Sequence, residues 1–129
     1  MAEGTQGVNI METMLYRYGM EEEEYLVFDM NANASSLGSR AVRAICARNC
    51  GIGARGILVG PVKSQGRDRM LFYLPDGTLS EEDPAASTLA ARYLQEKGYA
   101  WAHSQGDRCD NLKRTGVVFL SEDFFRDFA

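Results

Sequence analysis

Residues 83–98, DPAASTLAARYLQEKG, predict an α-helix, and the sequence marks both of its ends. Asp83 is a favourable N-cap residue, Pro84 suits the first helical position, and Gly98 suits the residue that ends a helix. Apolar side chains recur at helical spacing and form one predicted buried face: Ala86, Leu89, Ala90, Tyr93 and Leu94. Such a helix needs a sheet or another helix to cover that face, so its neighbours define the class of fold.

Short apolar segments on both sides of this helix predict strands. They are residues 14–18, 25–28, 57–59, 70–73 and 117–120. The segment Tyr25-Leu26-Val27-Phe28 has no polar break, which is typical of a strand covered on both faces. Gly60-Pro61 is predicted to end the third strand, a polar loop to follow at residues 64–68, and Pro75-Asp76-Gly77 to turn the chain.

An earlier helix is predicted to begin after Ser35 or Ser36 and to run to about Asn49, where Gly51 ends it. Its apolar stripe contains Val42, Ile45 and Cys46. Residues 102–114 predict a polar loop before the last strand, and residues 122–129 a short helical turn. The order ββαββαβ predicts an α+β or mixed α/β domain built around a curved sheet of five or six strands. We expect residues 1–12 to form a flexible tail and residues 13–129 a single lobe.

The composition favours one globular domain that works away from nucleic acids and membranes. The 129 residues match the size of one domain, and 45% of them are hydrophobic. The net charge of -4 repels phosphate backbones and makes nucleic acid a poor partner. No apolar run reaches the length that spans a membrane, and residues 1–10 lack the features of a secretion signal. The odd set of three cysteines predicts free thiols and a cytoplasmic location.

Residues 51–56, GIGARG, match the glycine pattern of dinucleotide-binding loops, but their surroundings differ from those of such loops. A nucleotide-binding loop follows a strand and opens a helix, whereas here a helix is predicted to end at Gly51 and a strand to begin at Ile57. We interpret the segment as a helix end followed by a tight turn, and we expect no cofactor.

Four side chains could supply metal ligands or a proton shuttle: Cys46, Cys50, Cys109 and His103. Cys46 and Cys50 share a predicted helix face, which is not the usual arrangement of a structural zinc site, so we expect no metal. His103 lies in a polar stretch, and no acidic or nucleophilic residue lies at a spacing from it that indicates a catalytic group. We therefore interpret it as an exposed loop residue. The acidic run at residues 21–24 is interpreted as a solvated turn.

Six segments of the chain match the sequence pattern of a single protein family. They are LYRYGM (15–20), EYLVFD (24–29), ICARNCGIGARGILVGP (45–61), PDG (75–77), ARYL (91–94) and LKRTGVVF (112–119). In order and spacing they resemble the cofactor-independent diaminopimelate epimerases of lysine and cell-wall synthesis. The resemblance implies an α+β lobe in which a curved, mixed or antiparallel sheet wraps around a central helix.

Members of that family have two such lobes, and each lobe contributes a cysteine that faces the substrate α-carbon. One thiolate removes the proton, and the opposing thiol returns one. This chain resembles the first lobe together with its closing strand, so the resemblance implies that the second lobe and its cysteine are missing.

The positions that the family uses for its substrate carry other residues in this chain. Asp83-Pro84-Ala85 stands where the family has Cys-Gly-Asn at the start of the helix. Glu23 and Leu74 stand at family asparagines, and Arg55 stands at a family aspartate. The resemblance therefore implies no catalytic residue, and its substrate-binding positions are degenerate: Glu23, Arg55, Leu74, Pro84 and Ala85.

Asp83 changes the chemistry expected at the start of this helix. In the family, the open helix end receives a substrate carboxylate and favours a thiolate. An N-cap aspartate occupies those amides with a carboxylate of the protein itself, and Pro84 removes one donor. We therefore expect a lobe that does not epimerise diaminopimelate and acts through association, as a homodimer or with a related epimerase-like protein. The alternative is an isomerase or amino-acid-binding protein whose cleft forms between two copies, with Asp83, Glu23 or Arg55 in the site.

Overall fold

The computed structural model describes residues 13–20, 22–33, 37–47, 54–81, 83–99 and 112–121. These residues form six strands and two helices. In chain order the elements are β1 (Thr13–Met20), β2 (Glu23–Asp29), α1 (Ser39–Cys46), β3 (Ile57–Ser64), β4 (Arg67–Tyr73), β5 (Leu79–Ser80), α2 (Pro84–Lys97) and β6 (Lys113–Leu120). The predicted α+β class is confirmed, and β5 is a short strand that the sequence pattern did not reveal.

The strands form one mixed sheet in the order β5-β4-β3-β2-β1-β6. β2 and β3 are parallel, with Leu26 opposite Ile57 and Phe28 opposite Val59. The other neighbours are antiparallel. Parallel neighbours need a crossover connection, and the segment that contains α1 provides it.

The two helices cover opposite faces of the sheet. Successive side chains of a strand point to opposite faces, so Leu26 and Phe28 pack with α1 while Tyr25 and Val27 pack with α2. The residues of β2 from Tyr25 to Asp29 are all buried, which confirms the prediction of a strand covered on both sides. The sheet is therefore the middle of three layers, with α2 as the longer helix.

Helix α2 has the ends that the sequence predicts. The Asp83 carboxylate accepts a hydrogen bond from the Ala86 N–H at 3.0 Å, and Pro84 occupies the first helical position. Gly98 ends the helix in the left-handed conformation, with a φ of 76°. Of the predicted apolar face, Ala86, Leu89, Tyr93 and Leu94 are buried, and Ala90 is half-buried.

Helix α1 is shorter than predicted. It begins at Ser39, after Gly38, and not directly after Ser35 or Ser36, and it ends at Cys46, before Asn49. The backbone is extended at Gly38 and again at Ala47, and this limits the helix at both ends. The predicted stripe of Val42, Ile45 and Cys46 is nevertheless buried.

The hairpin of β3 and β4 also differs from the prediction. Gly60-Pro61 does not end β3, which continues to Ser64, and the predicted loop at residues 64–68 is only the turn Gln65-Gly66. Pro61 has no N–H to donate, and it lies where the register of the two strands shifts between Val59 and Val62, so the sheet accommodates it. Gln65 and Gly66 both have positive φ, as a two-residue hairpin turn of type I′ requires.

Strand β6 begins at Lys113 and not at Val117, so the end of the predicted loop is part of the sheet. Its pairing with β1 continues past an irregularity between Arg17 and Tyr18, beyond which Arg114 lies opposite Tyr18. The predicted tail at residues 1–12 and the helical turn at residues 122–129 lie outside the described residues. Within the described part of the chain, neither helix is long and apolar enough to cross a membrane.

Candidate functional site

The start of α2 is a closed helix end built around Asp83. Its Oδ1 accepts the Ala86 N–H at 3.0 Å, and its Oδ2 lies 3.9 Å from Arg55 Nη2. The Asp83 side chain is only 13% exposed, whereas that of Arg55 is 49% exposed. Asp83 is therefore held by its own helix, and the Arg55 charge is a weaker, solvent-screened contribution.

The first turn of α2 has few amides left for an external anion. Pro84 has no N–H, and Asp83 Oδ1 takes the Ala86 N–H. The first regular bond of the helix follows, from the Ser87 N–H to the Asp83 carbonyl at 3.0 Å. A helix N-terminus attracts anions because its first amides lack partners. Here two of these amides are unavailable, because Pro84 has no N–H and the Ala86 N–H is bound to Asp83.

Backbone pairing places Arg55 beside the start of β2. The Arg55 N–H donates to the Glu24 carbonyl at 2.8 Å, and the Leu26 N–H donates to the Gly56 carbonyl at 3.1 Å. These bonds extend the pairing of β2 and β3 by two residues before β3 begins. The pairing brings the Arg55 side chain to the end of the sheet where α2 starts.

Tyr25 interacts with both Asp83 and Arg55. The sequence pattern did not identify it as a site residue, because an aromatic residue inside an apolar strand is typical of the core. Burial raises the pKa of the Tyr25 hydroxyl and the Asp83 charge raises it further, while the hydrogen bond from Arg55 opposes both effects. The pKa of Arg55 is raised, first by its hydrogen bond to Tyr25 and also by the charges of Asp83 and Glu23. Three predicted site residues, Glu23, Arg55 and Asp83, therefore interact around one buried phenol.

The other predicted positions contribute apolar surface. Leu74 and Ala85 pack against the core on the α2 side of the sheet, and Pro84 is exposed. Leu74 also begins the turn at Pro75-Asp76-Gly77, where its N–H donates to the Thr78 carbonyl at 2.8 Å. Their side chains offer a bound molecule no hydrogen bond.

A cavity of about 200 Å³ lies between β4, β5 and the first turns of α2, with Asp83 on its border. Its apolar wall includes Leu58, Met70 and Phe72. Its polar lining includes Arg69, Ser80, Glu81 and Ser87. Ligand pockets commonly measure about 300–1,000 Å³, so this cavity suits only a small molecule.

The candidate metal ligands contribute little to the described structure. Among the described residues, no group of three side chains could hold a metal ion. Cys46, the last residue of α1, is a free thiol on the buried face of that helix, and burial raises its pKa to about 11, so it stays protonated at neutral pH. Cys50, Cys109 and His103 lie outside the described residues.

A second polar group holds the other end of α2. Asp29 is 2% exposed, and its carboxylate accepts hydrogen bonds from Tyr93 Oη at 2.5 Å and from Tyr99 Oη at 3.0 Å. The Asn31 N–H donates to the same carboxylate at 2.9 Å. Burial, and then the Asp29 carboxylate, raise the pKa of Tyr93. An aspartate directly after an apolar strand was the only sequence signal for this group.

Comparison with known proteins supports the resemblance found in the sequence. The chain is similar to diaminopimelate epimerase 2 from Nostoc sp. (strain PCC 7120 / SAG 25.82 / UTEX 2576), with 32% identity over 84 residues. The matched region covers 64% of this chain and 30% of that protein. No protein-family model matches the chain. The predicted resemblance to part of a diaminopimelate epimerase is therefore confirmed.

Proposed function

We propose that this protein is an epimerase-like lobe that does not catalyse epimerisation and acts by associating with a second copy of itself or with a related epimerase-like protein. The observation that carries the proposal is the hydrogen bond between Asp83 and the Ala86 N–H. It occupies the helix end where the resemblance expects a cysteine and an open site for a substrate carboxylate.

Electrostatics also disfavours an anionic substrate at this position. Two like charges 4 Å apart repel by about 1 kcal/mol in water and by about 4 kcal/mol near a protein surface. Asp83 is only 13% exposed, so water screens its charge incompletely. Removing a proton from an α-carbon also requires a base and an acid on opposite faces of the substrate. Arg55, whose guanidinium lies 3.9 Å from the Asp83 carboxylate, stays protonated and cannot serve as that acid.

A solvent-exchange assay tests the lack of epimerisation. The full chain is incubated with diaminopimelate in deuterium oxide, and mass spectrometry measures deuterium at the α-carbon, with an active diaminopimelate epimerase as positive control. We expect no deuterium beyond that found without protein. Incorporation that disappears in an Asp83→Asn variant would contradict the proposal, because it would make the carboxylate a working base.

The cavity beside Asp83 supports a second candidate function, the binding of a small amino-acid-like molecule in a cleft completed by a second copy. A ligand present at a hundred times its dissociation constant stabilises the folded state by about 2.7 kcal/mol. A thermal-shift series with single amino acids therefore detects it as a rise in Tm of several degrees. Replacing Ser87, which is exposed and lines the cavity, by leucine should abolish the shift. If no amino acid raises Tm, this candidate is excluded.

The proposal includes a reducing location, which we take to be the cytoplasm. Cys46 is a free, buried thiol in a chain with an odd number of cysteines, three in all. Chains that mature in oxidising compartments usually pair their cysteines. Free cysteines in the natural protein, measured by thiol titration after unfolding, would agree with this location, and a native disulfide would contradict it.

A further inference from the structure

The cavity between β4, β5 and α2 combines an apolar wall with a polar margin. The wall consists of buried side chains from two strands and the helix, which are Leu58, Met70, Phe72 and Ala86. The volume of about 200 Å³ equals that of about seven water molecules in the liquid. The cavity therefore fits a small molecule with a short apolar chain.

Arg69 borders this cavity, but its side chain points away from it. Met70 and Phe72 pack on the α2 face of the sheet. Successive side chains of a strand point to opposite faces, so Arg69 and Leu71 point to the α1 face and line the cavity with their backbone. This backbone is uncovered because β5 pairs with β4 only from Phe72 onward. Among the described residues that line the cavity, no cationic side chain therefore faces it.

The other charged residues of the described lining, Glu81 and Asp83, are both acidic. Glu81 is exposed, whereas the Asp83 side chain is only 13% exposed. Ser80 and Ser87 also line the cavity, and each hydroxyl can accept hydrogen bonds. These side chains therefore offer a ligand negative charge and hydrogen-bond acceptors.

Asp83 keeps one carboxylate oxygen for such a ligand. Its Oδ1 accepts the Ala86 N–H, but its Oδ2 accepts no hydrogen bond from the described residues. Arg55 Nη2 lies 3.9 Å from Oδ2, which is too long for a hydrogen bond. A carboxylate oxygen that is largely removed from water usually has a hydrogen-bond donor. A donor on a ligand at the border of the cavity supplies one.

We infer that this cavity binds a small primary amine, whose ammonium group contacts Asp83 and Glu81 and whose apolar chain lies against the apolar wall. The inference rests on the second candidate function and names the chemical group that this site recognises. An ammonium group suits the site because it carries a positive charge and three N–H donors, and hydrogen bonds between charged partners are the strong ones.

The same charges set the order in which related molecules bind. A carboxylate in the cavity meets two like charges, so an acid of the same size binds weakly. An amino acid binds through its amine and leaves its carboxylate in the water at the open margin. It therefore binds more weakly than the amine that lacks this carboxylate.

Isothermal titration calorimetry of the full chain tests the inference with four compounds that share one branched carbon chain. They are isopentylamine, leucine, isopentanol and isovalerate. We expect isopentylamine to bind most tightly and isovalerate to bind at least about tenfold more weakly. Ammonium chloride at the same ionic strength is the control for a general effect of charge. If isovalerate or isopentanol binds as tightly as isopentylamine, the inference is overturned.

Three variants test the position of the ammonium group. Asp83→Asn keeps an oxygen for the helix cap and loses the charge, so it should weaken isopentylamine binding at least about tenfold. Glu81→Gln should weaken it less than about fivefold, because an ion pair at an exposed residue contributes little. Glu96→Gln is the matched control, since Glu96 is an exposed acid of α2 outside the cavity lining. Circular dichroism checks that all three variants fold.

Unchanged affinity in Asp83→Asn, or an equal loss in Glu96→Gln, would overturn the inference. Two further outcomes separate it from the candidate function on which it rests. If leucine binds and isopentylamine does not, the inference fails and the amino-acid site stands. If none of the four compounds binds, both fail. The deuterium assay tests the lack of epimerisation separately.

Discussion

Replacing Asp83 by alanine removes the cap of α2 and one partner of Arg55, and the structure allows the cost to be divided between the two. Loss of the N-cap hydrogen bond to Ala86 costs about 1 kcal/mol. The Arg55 contact adds less than about 0.5 kcal/mol, because surface ion pairs of this kind contribute little. The atoms are 3.9 Å apart and Arg55 is half exposed. We therefore expect Asp83→Ala to lower the free energy of unfolding by about 1–1.5 kcal/mol.

Urea denaturation and thermal melting of the purified chain measure this loss, which corresponds to a fall in Tm of about 3–6 °C. Asp83→Asn is the matched control, because it keeps a capping oxygen and removes only the charge, so it should cost less than about 0.5 kcal/mol. If Asp83→Ala were as stable as the unaltered chain, the cap would not hold the helix. If Asp83→Asn lost as much as Asp83→Ala, the charge and not the cap would be the important feature.

Two more predictions concern buried titratable groups. Tyr93→Phe should cost about 1–3 kcal/mol in urea denaturation, because it removes a donor from the buried Asp29 carboxylate, and Tyr99→Phe, at a less buried hydroxyl, should cost less. If the order is reversed, Tyr99 is the main donor. Burial raises the pKa of the Cys46 thiol from its ordinary value of 9.0 to about 11, so the stability that the buried, protonated thiol contributes is complete below pH 9 and is lost as the pH rises to 11. Subtracting the alkaline stability curve of Cys46→Ala isolates this effect from that of the tyrosines, and parallel curves would contradict it.

The sequence predicts elements well where local chemistry determines them. Both ends of α2 are correct because an N-cap aspartate, a proline at the first helical position and a terminal glycine each act on their own turn of backbone. The burial of β2 is also predicted, because an unbroken apolar run needs cover on both faces. The prediction that Gly60-Pro61 ends β3 was wrong, because the effect of a proline on a strand depends on the pairing with the neighbouring strand. The pairing of β3 with β4 shifts register at that point and accommodates the proline.

The features of the candidate site also divide into local ones, which the sequence predicts, and long-range contacts, which it does not. The capping role of Asp83 is local, and the sequence predicts it. The approach of Arg55 to Asp83 depends on how β2, β3 and α2 are placed relative to one another, and the sequence suggests it only through the family resemblance. The hydrogen bond between Asp29 and Tyr93 joins residues 64 positions apart, and no local pattern connects them. Tyr25 was missed because its ring fits the core and only its hydroxyl belongs to the site.

Helix α2 is fixed at both ends by aspartates, one exposed enough to contact Arg55 and one buried beneath two tyrosines. A helix anchored in this way cannot tilt or slide without breaking a charge-assisted hydrogen bond at one end. The position of the helix is therefore set before anything docks there. Complexes on a preformed surface avoid the entropy of ordering a mobile element. Any ligand or second copy that meets this face should bind in one kinetic step, at a rate set by collision and orientation.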